Sequence, residues 1–106
     1  MCVDARSRSY DGASNDTVLG NNNFLGDAAN GDNVAGAGNS LSNSVVGVGV
    51  VGAGNTLFNG VSGSNFTGNF SVATDSVRNS SVVGSNNTLR DFVAASFVTG
   101  VGNFVR

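Results

Sequence analysis

Apolar positions recur along this chain on a sixteen-residue interval, unlike the 3.6-residue rhythm of an amphipathic helix. Val18, Val34, Val50, Phe66, Val82 and Val98 form one such column, and Gly20, Gly36, Gly52, Gly68, Gly84 and Gly100 follow it two residues later. Three residues beyond each glycine stands Asn23, Asn39, Asn55, Ser71, Asn87 or Asn103, and two further on Leu25, Leu41, Leu57, Ala73, Leu89 or Val105. An acidic or amide column (Asp27, Asn43, Asn59, Asp75, Asp91) and a second apolar one (Ala29, Val45, Val61, Val77, Val93) come next. A second glycine column, Gly31, Gly47 and Gly63, gives way to Asn79 and Ala95. The unit x-V-x-G-x-x-N-x-L-x-[ND]-x-V-x-G-x keeps its phase from Thr17 to Arg106 without an insertion. Residues 1–16 match only in part: Cys2, Asp11 and Ala13 fall in their columns, but Asp4 takes the glycine place and Ser9 the leucine place.

Within the unit Asn, Leu, Asn/Asp and Val alternate, as side chains sharing one face of a strand do. The parity shifts after each glycine, so G-x-x-N and G-x-x-V read as turns in which glycine supplies a positive φ. A chain that turns a corner twice per unit and returns over itself is one coil of a solenoid. The predicted fold is therefore all-β: a single-stranded parallel β-solenoid, or β-roll, of sixteen residues per coil and about five or six coils, with no helices. Like residues then stack about 4.8 Å apart, and inward Asn can pass amide hydrogen bonds up the column. The expected organisation is a degenerate first coil or disordered lead-in over 1–16 and a repeat segment over 17–106. No capping element is evident after Arg106, so the expectation is a segment of a longer array or a solenoid whose ends a partner covers. In one irregular coil Ser71 and Ala73 take the inward places while Phe70 and Val72 point out; a one-residue bulge would reverse this.

Composition narrows the chemistry. The chain lacks His, Glu, Lys, Gln, Ile, Pro and Trp, so acid or base catalysis would fall to seven Asp or to Tyr10. The expectation is a non-catalytic protein without cofactor. A single Cys2 excludes an internal disulfide and every multi-cysteine metal site. A net charge of −2 with only five Arg leaves no basic footprint for nucleic acid. No apolar run is long enough for a membrane span, and the N-terminal residues lack the apolar stretch of a secretion signal, which an exported form would have to carry elsewhere.

Other patterns invite function and find plainer readings. Gly47 to Gly52 matches the G-x-G-x-x-G dinucleotide fingerprint, but Ala53-Gly54-Asn55 begins another turn where a helix is needed. Asp11, Asp27, Asp75 and Asp91 share a column that could chelate a cation, yet one acid per coil, replaced by Asn43 and Asn59, fits a solvated corner or Asx-turn better, and no metal is expected. Five N-x-[ST] triplets begin at Asn15, Asn65, Asn69, Asn79 and Asn86 and lend weak support to an extracellular or cell-surface setting. Phe24, Phe58, Phe70, Phe92, Phe97 and Phe104 fall outside the interior columns. Phe92, Phe97 and Phe104, in the last two coils, are candidates for self-association or for packing against more chain.

Outward residues of a solenoid form a near-planar lattice, suited to a ligand that is itself a lattice. Residues flanking the first inward column run Thr17/Leu19, Asn33/Ala35, Gly49/Val51, Asn65/Thr67, Ser81/Val83 and Phe97/Thr99, without a charge. The other outward columns are read as including Asp32, Arg78, Arg90 and Arg106. Val34-Ala35-Gly36-Ala37-Gly38-Asn39-Ser40-Leu41 and Val82-Val83-Gly84-Ser85-Asn86-Asn87-Thr88-Leu89 resemble the V-x-G-x-x-N-x-V units of plant ice-recrystallisation-inhibition proteins. That resemblance covers Thr17 to Arg106 and implies a short-coil β-roll that adsorbs to ice through one flat face. The face would be carried here by Thr17, Ala35, Val51, Thr67, Val83 and Thr99. Asn43-Ser44-Val45-Val46-Gly47 resembles head repeats of trimeric autotransporter adhesins, which implies the alternative of a structural or adhesive segment in a larger surface protein.

Overall fold

The structure, a computed structural model, describes residues 12–106 together with the backbone of 2, 3, 8 and 9. Asp4, Tyr10 and Asp11 lie outside the described residues. The strands are β1 (Cys2–Val3), β2 (Arg8–Ser9), β3 (Thr17–Leu19), β4 (Phe24–Leu25), β5 (Asn33–Ala37), β6 (Ser40–Ser42) and β7 (Gly49–Ala53). They continue as β8 (Thr56–Phe58), β9 (Asn65–Thr67), β10 (Val72–Thr74), β11 (Ser81–Ser85), β12 (Thr88–Leu89), β13 (Phe97–Val101) and β14 (Phe104–Val105). Odd-numbered strands pair in sequence order as one parallel sheet and even-numbered strands as a second, and the described residues contain no helix. Every pairing joins residues sixteen apart: Val18 to Val34, Val34 to Val50, Leu41 to Leu57. The fold is a parallel β-solenoid of about six coils, drawn out to 34 × 22 × 13 Å. The Cys2–Val3 and Arg8–Ser9 segments pair in the same register with β3 and β4.

The interior is filled by the repeating apolar columns. Val18, Val34, Val50, Phe66, Val82 and Val98 stack with the leucine column and with Ala29 to Val93 in one buried cluster. Isolated parallel bridges at Ser14, Asn30, Val46, Ser62, Arg78 and Ala94 form a third, shorter contact line. Three corners per coil join these lines. Just before one of them stands the Gly20-to-Gly100 column, at φ between 108° and 139°, and the left-handed Asn22, Gly38, Gly54, Phe70, Asn86 and Gly102 make the turn two residues later. An ideal Cβ on any of its members from Gly20 to Gly84 would overlap the carbonyl oxygen of the glycine one coil on, so only glycine fits.

The Asn column binds that corner to the interior. Asn39 Nδ2 donates to Asn23 Oδ1 (3.1 Å) and to Gly52 O (2.9 Å), while its Oδ1 accepts from Asn55 N (3.0 Å) and Asn55 Nδ2 (3.1 Å). Both amide protons and both oxygen lone pairs are thus used, on a side chain with no exposure. Asn23 and Asn55 likewise reach Gly36 O and Gly68 O, and Asn87 reaches Gly100 O. Ser71 accommodates the ladder only by its backbone N–H, which donates to Asn55 Oδ1.

The structure corrects two readings of the sequence. Asp32 does not face outward: it is wholly buried, in a further inward column of Asp16, Asp32, Val48, Ser64, Ser80 and the half-buried Ser96. The second turn is the reason. Gly31 and Gly47 adopt φ 71° and 63°, so parity resets at that residue and the next one, Asp32 or Val48, already points inward, two positions before the Val34 or Val50 that G-x-x-V implies. The Asp27 column does not continue the strand alternation beside Leu25 either. Asn43-Ser44, Asn59-Gly60, Asp75-Ser76 and Asp91-Phe92 are consecutive left-handed pairs that swing the chain round an exposed corner, giving three turns per coil where two were expected. In the irregular coil no bulge intervenes: Ser71 and Ala73 are buried and Phe70 is exposed. Phe66 replaces the usual Val in that coil, so a larger side chain accompanies the smaller Ser71 and Ala73 and the interior volume is roughly kept.

Candidate binding face

The outer face of the odd-numbered sheet is a lattice of three columns. Leu19, Ala35, Val51, Thr67, Val83 and Thr99 form the middle one, in unbroken register from β3 to β13. Five of the six sequence-predicted residues, Ala35, Val51, Thr67, Val83 and Thr99, belong to it. Thr17 stands in the neighbouring column with Asn33, Gly49, Asn65, Ser81 and Phe97, so Leu19 occupies the equivalent place on the first of these coils. The third column, Asn21, Ala37, Ala53, Asn69, Ser85 and Val101, follows the Gly20-to-Gly100 column and is missing from the two columns read from the sequence. Longer strands such as β5, β7, β11 and β13 carry the sheet across that glycine, a continuation its turn-like composition hides.

None of these eighteen positions is charged. Rows lie about 4.8 Å apart and outward neighbours along a strand roughly 6.7 Å apart. The apolar members are well exposed, Val51 at 55% and Val83 at 42%. Hydrogen bonding within the lattice is light: Asn69 Oδ1 accepts from Ala53 N (2.9 Å), which fixes one amide of the third column. Backbone ladder bonds hold each row at its spacing, so the side chains are presented by a rigid support.

Charge gathers elsewhere. Arg90 pairs with Asp91 at 3.3 Å and Arg106 approaches the same carboxylate at 4.0 Å, on the corner and even-numbered sheet. Asp75 Oδ1 accepts from Asn59 Nδ2 (3.3 Å), and Asn59 Oδ1 from Asn43 Nδ2 (3.4 Å), an exposed ladder along the corner. The solvated corner is thus present for Asp27, Asp75 and Asp91, while Asp11 falls outside the described residues. Among the described residues no three Asp or Cys side chains converge as metal ligands. Gly47 to Gly52 runs into strand β7 and on to β8, so no helix presents its N-terminus there.

The three C-terminal phenylalanines do not share a patch. Phe97 lies on the odd-numbered sheet, Phe104 on the even-numbered sheet, where its ring carries the Arg106 guanidinium at 5.0 Å, and Phe92 projects from the corner between them. A shallow depression of about 400 Å³ lined by Phe24, Gly26, Asp27, Ser42 and Asn43 opens on the side opposite the uncharged face. In comparisons with known proteins, no family model, no curated protein and no solved structure matches the chain.

Proposed function

We propose that this chain is a non-catalytic repeat protein whose uncharged sheet face adsorbs to ice and inhibits its recrystallisation. The observation that supports this reading is the registered lattice from Leu19 to Thr99, repeated over six coils with no charge in any of its three columns. Methyl and hydroxyl groups at regular spacing order water without the strongly oriented shell a charge imposes, and a rigid backbone means little conformational entropy is lost on adsorption. The ligand is thus an extended surface, and affinity comes from many weak, simultaneous contacts. An extracellular or cell-surface setting fits the exposed Asn15, Asn65, Asn69, Asn79 and Asn86 of the five N-x-[ST] triplets; Asn65 and Asn69 lie on the face itself and would have to remain bare.

An ice-recrystallisation assay tests it. The parent chain is expected to inhibit grain growth, Thr67→Arg to abolish most of that effect, and Thr56→Arg, on the even-numbered sheet, to leave it intact. No inhibition by the parent, or equal loss from both variants, would remove the proposal. A second reading, a structural or adhesive segment, draws on Phe97 and Val101, exposed at 73% and 74% on the same face. Light scattering after size exclusion separates the two: a stable assembly weakened by Phe97→Ser favours it, and a monomer at all concentrations opposes it.

A further inference from the structure

The newly found interior column imposes a chemical requirement. Ser64 Oγ accepts from Ser80 N (3.1 Å) and donates to Ser62 O (2.9 Å); Ser80 Oγ accepts from Ser96 N (3.4 Å) and donates to Arg78 O (3.0 Å); Ser96 Oγ donates to Ala94 O (3.2 Å). Ser64 and Ser80 each take one N–H from the coil ahead and give one proton to the carbonyl two residues back, and Ser96, in the last coil, makes the same donation. Asp32 meets the first half: its Oδ1 accepts from Val48 N at 2.8 Å, and its own N–H donates to Asp16 Oδ1 at 2.9 Å. An ionised carboxylate has no proton for the second half. Its Oδ2 is shut away from solvent and accepts no hydrogen bond.

We propose that Asp32 is housed in the solenoid as the neutral acid, its carboxyl proton serving the Asn30 carbonyl as the serine hydroxyls serve theirs, so that the coil over 17–32 is latched in mild acid and loosened at neutral pH. Burial and then the neighbouring Asp16 charge raise its pKa to about 6, with N–H groups of Val48, Asn30 and Gly47 opposing the rise. Among the described residues of the flanking coils, the ionisable groups are Asp16, directly before it in the column, and Asp27, exposed at the far corner; the coil over 33–48 carries none. The folded chain therefore holds this proton where an unfolded one, with the ordinary value of 3.8, has released it. The stabilising contribution is complete below about pH 4 and is lost as pH rises through about 6. The latch is independent of what the outer face binds.

Thermal unfolding of the full chain at about pH 5 and about pH 7.5, with Asp32→Ser and Asp32→Asn alongside, tests it. The parent is expected to melt several degrees higher at the acidic value, and both variants to lose most of that difference. Serine already serves this column in later coils, so Asp32→Ser should fold. On the parent alone, the carboxyl carbon shift of Asp32 should titrate near pH 6. A parent whose melting point is flat or rises toward pH 7.5, variants that keep the acid preference, or a carboxyl titrating near 4 would each overturn the latch.

Discussion

Inside the solenoid, the Asn23 column and the Asp16 column bear the same cost, a polar side chain withdrawn from water on successive coils, yet they meet it with different chemistry. Asparagine carries two donors and two acceptors, and a copy of itself one coil away supplies the complement, so the column is satisfied by repetition. The Asp16 column is satisfied locally, by one N–H ahead and one carbonyl two residues back, a demand that a hydroxyl meets fully and that Val48 avoids altogether. A requirement for identical partners fixes one residue type, whereas a requirement for a small group tolerates several. Strict and tolerant columns should therefore differ sharply in what a substitution costs.

The harshest break of the strict column is through the glycine that receives its amide. Gly68 O accepts from Asn55 Nδ2 at 2.9 Å, and a Cβ on Gly52 would drive into that same oxygen. Gly52→Ala is expected to cost roughly 5 kcal/mol or to prevent folding, through overpacking, the strain of an alanine at φ 137°, and loss of the amide bond. Gly100→Ala meets only Asn103 Nδ2, at an ordinary 3.4 Å, and should cost about 1 kcal/mol from its backbone conformation alone. Urea unfolding of the pair measures the difference; similar losses would show that backbone strain, and not the stacked carbonyl, demands glycine there.

Next in size is the amide itself. Asn39→Ala leaves Asn55 N, one proton of Asn55 Nδ2 and Gly52 O without the partners they have now, all in or beside the buried interior. At about 1–3 kcal/mol for each polar group left unsatisfied, with some recovered by rearrangement, a loss of about 4 kcal/mol in chemical denaturation is expected. A cost under about 1 kcal/mol would mean the ladder is decorative.

The two columns also differ in how legible they are. Strict columns announce themselves: Val18 to Val98, Gly20 to Gly100 and Asn23 to Asn103 repeat almost letter for letter, and coil length, sheet register and the Asn ladder all follow from them. The Asp16 column passes through Asp, Val and Ser, so no single type marks it, and a second turn read as G-x-x-V puts Asp32 in an outward column. Its trace is subtler: every member is small, and none is basic or aromatic. The corner at Asn43-Ser44 was obscured for another reason, since two left-handed residues in succession keep Leu41 and Val45 both inward over a spacing that strand alternation also allows. On the binding face, the uncharged columns of Thr17 and Leu19 were visible in the pattern, while the Asn21 column was hidden behind a glycine that looked like the end of a strand.

The tolerant column yields the smallest expected change. The coils over 33–48 and 49–64 share the interior set of Val, Asn, Leu and Val and differ in this column by Val48 against Ser64. Ser64→Val therefore copies a packing arrangement that the next coil down already accommodates. It removes the acceptor for Ser80 N and the donor to Ser62 O, at about 1 kcal/mol each, and returns about 1–2 kcal/mol by burying the added methyl groups. The net change in urea unfolding is expected to lie within about 1 kcal/mol of zero. If Ser64→Val instead costs as much as Asn39→Ala, the column depends on its hydroxyl chain as strictly as the other depends on its amides; Val48 would then mark a weak coil, where backbone amide exchange should be fastest.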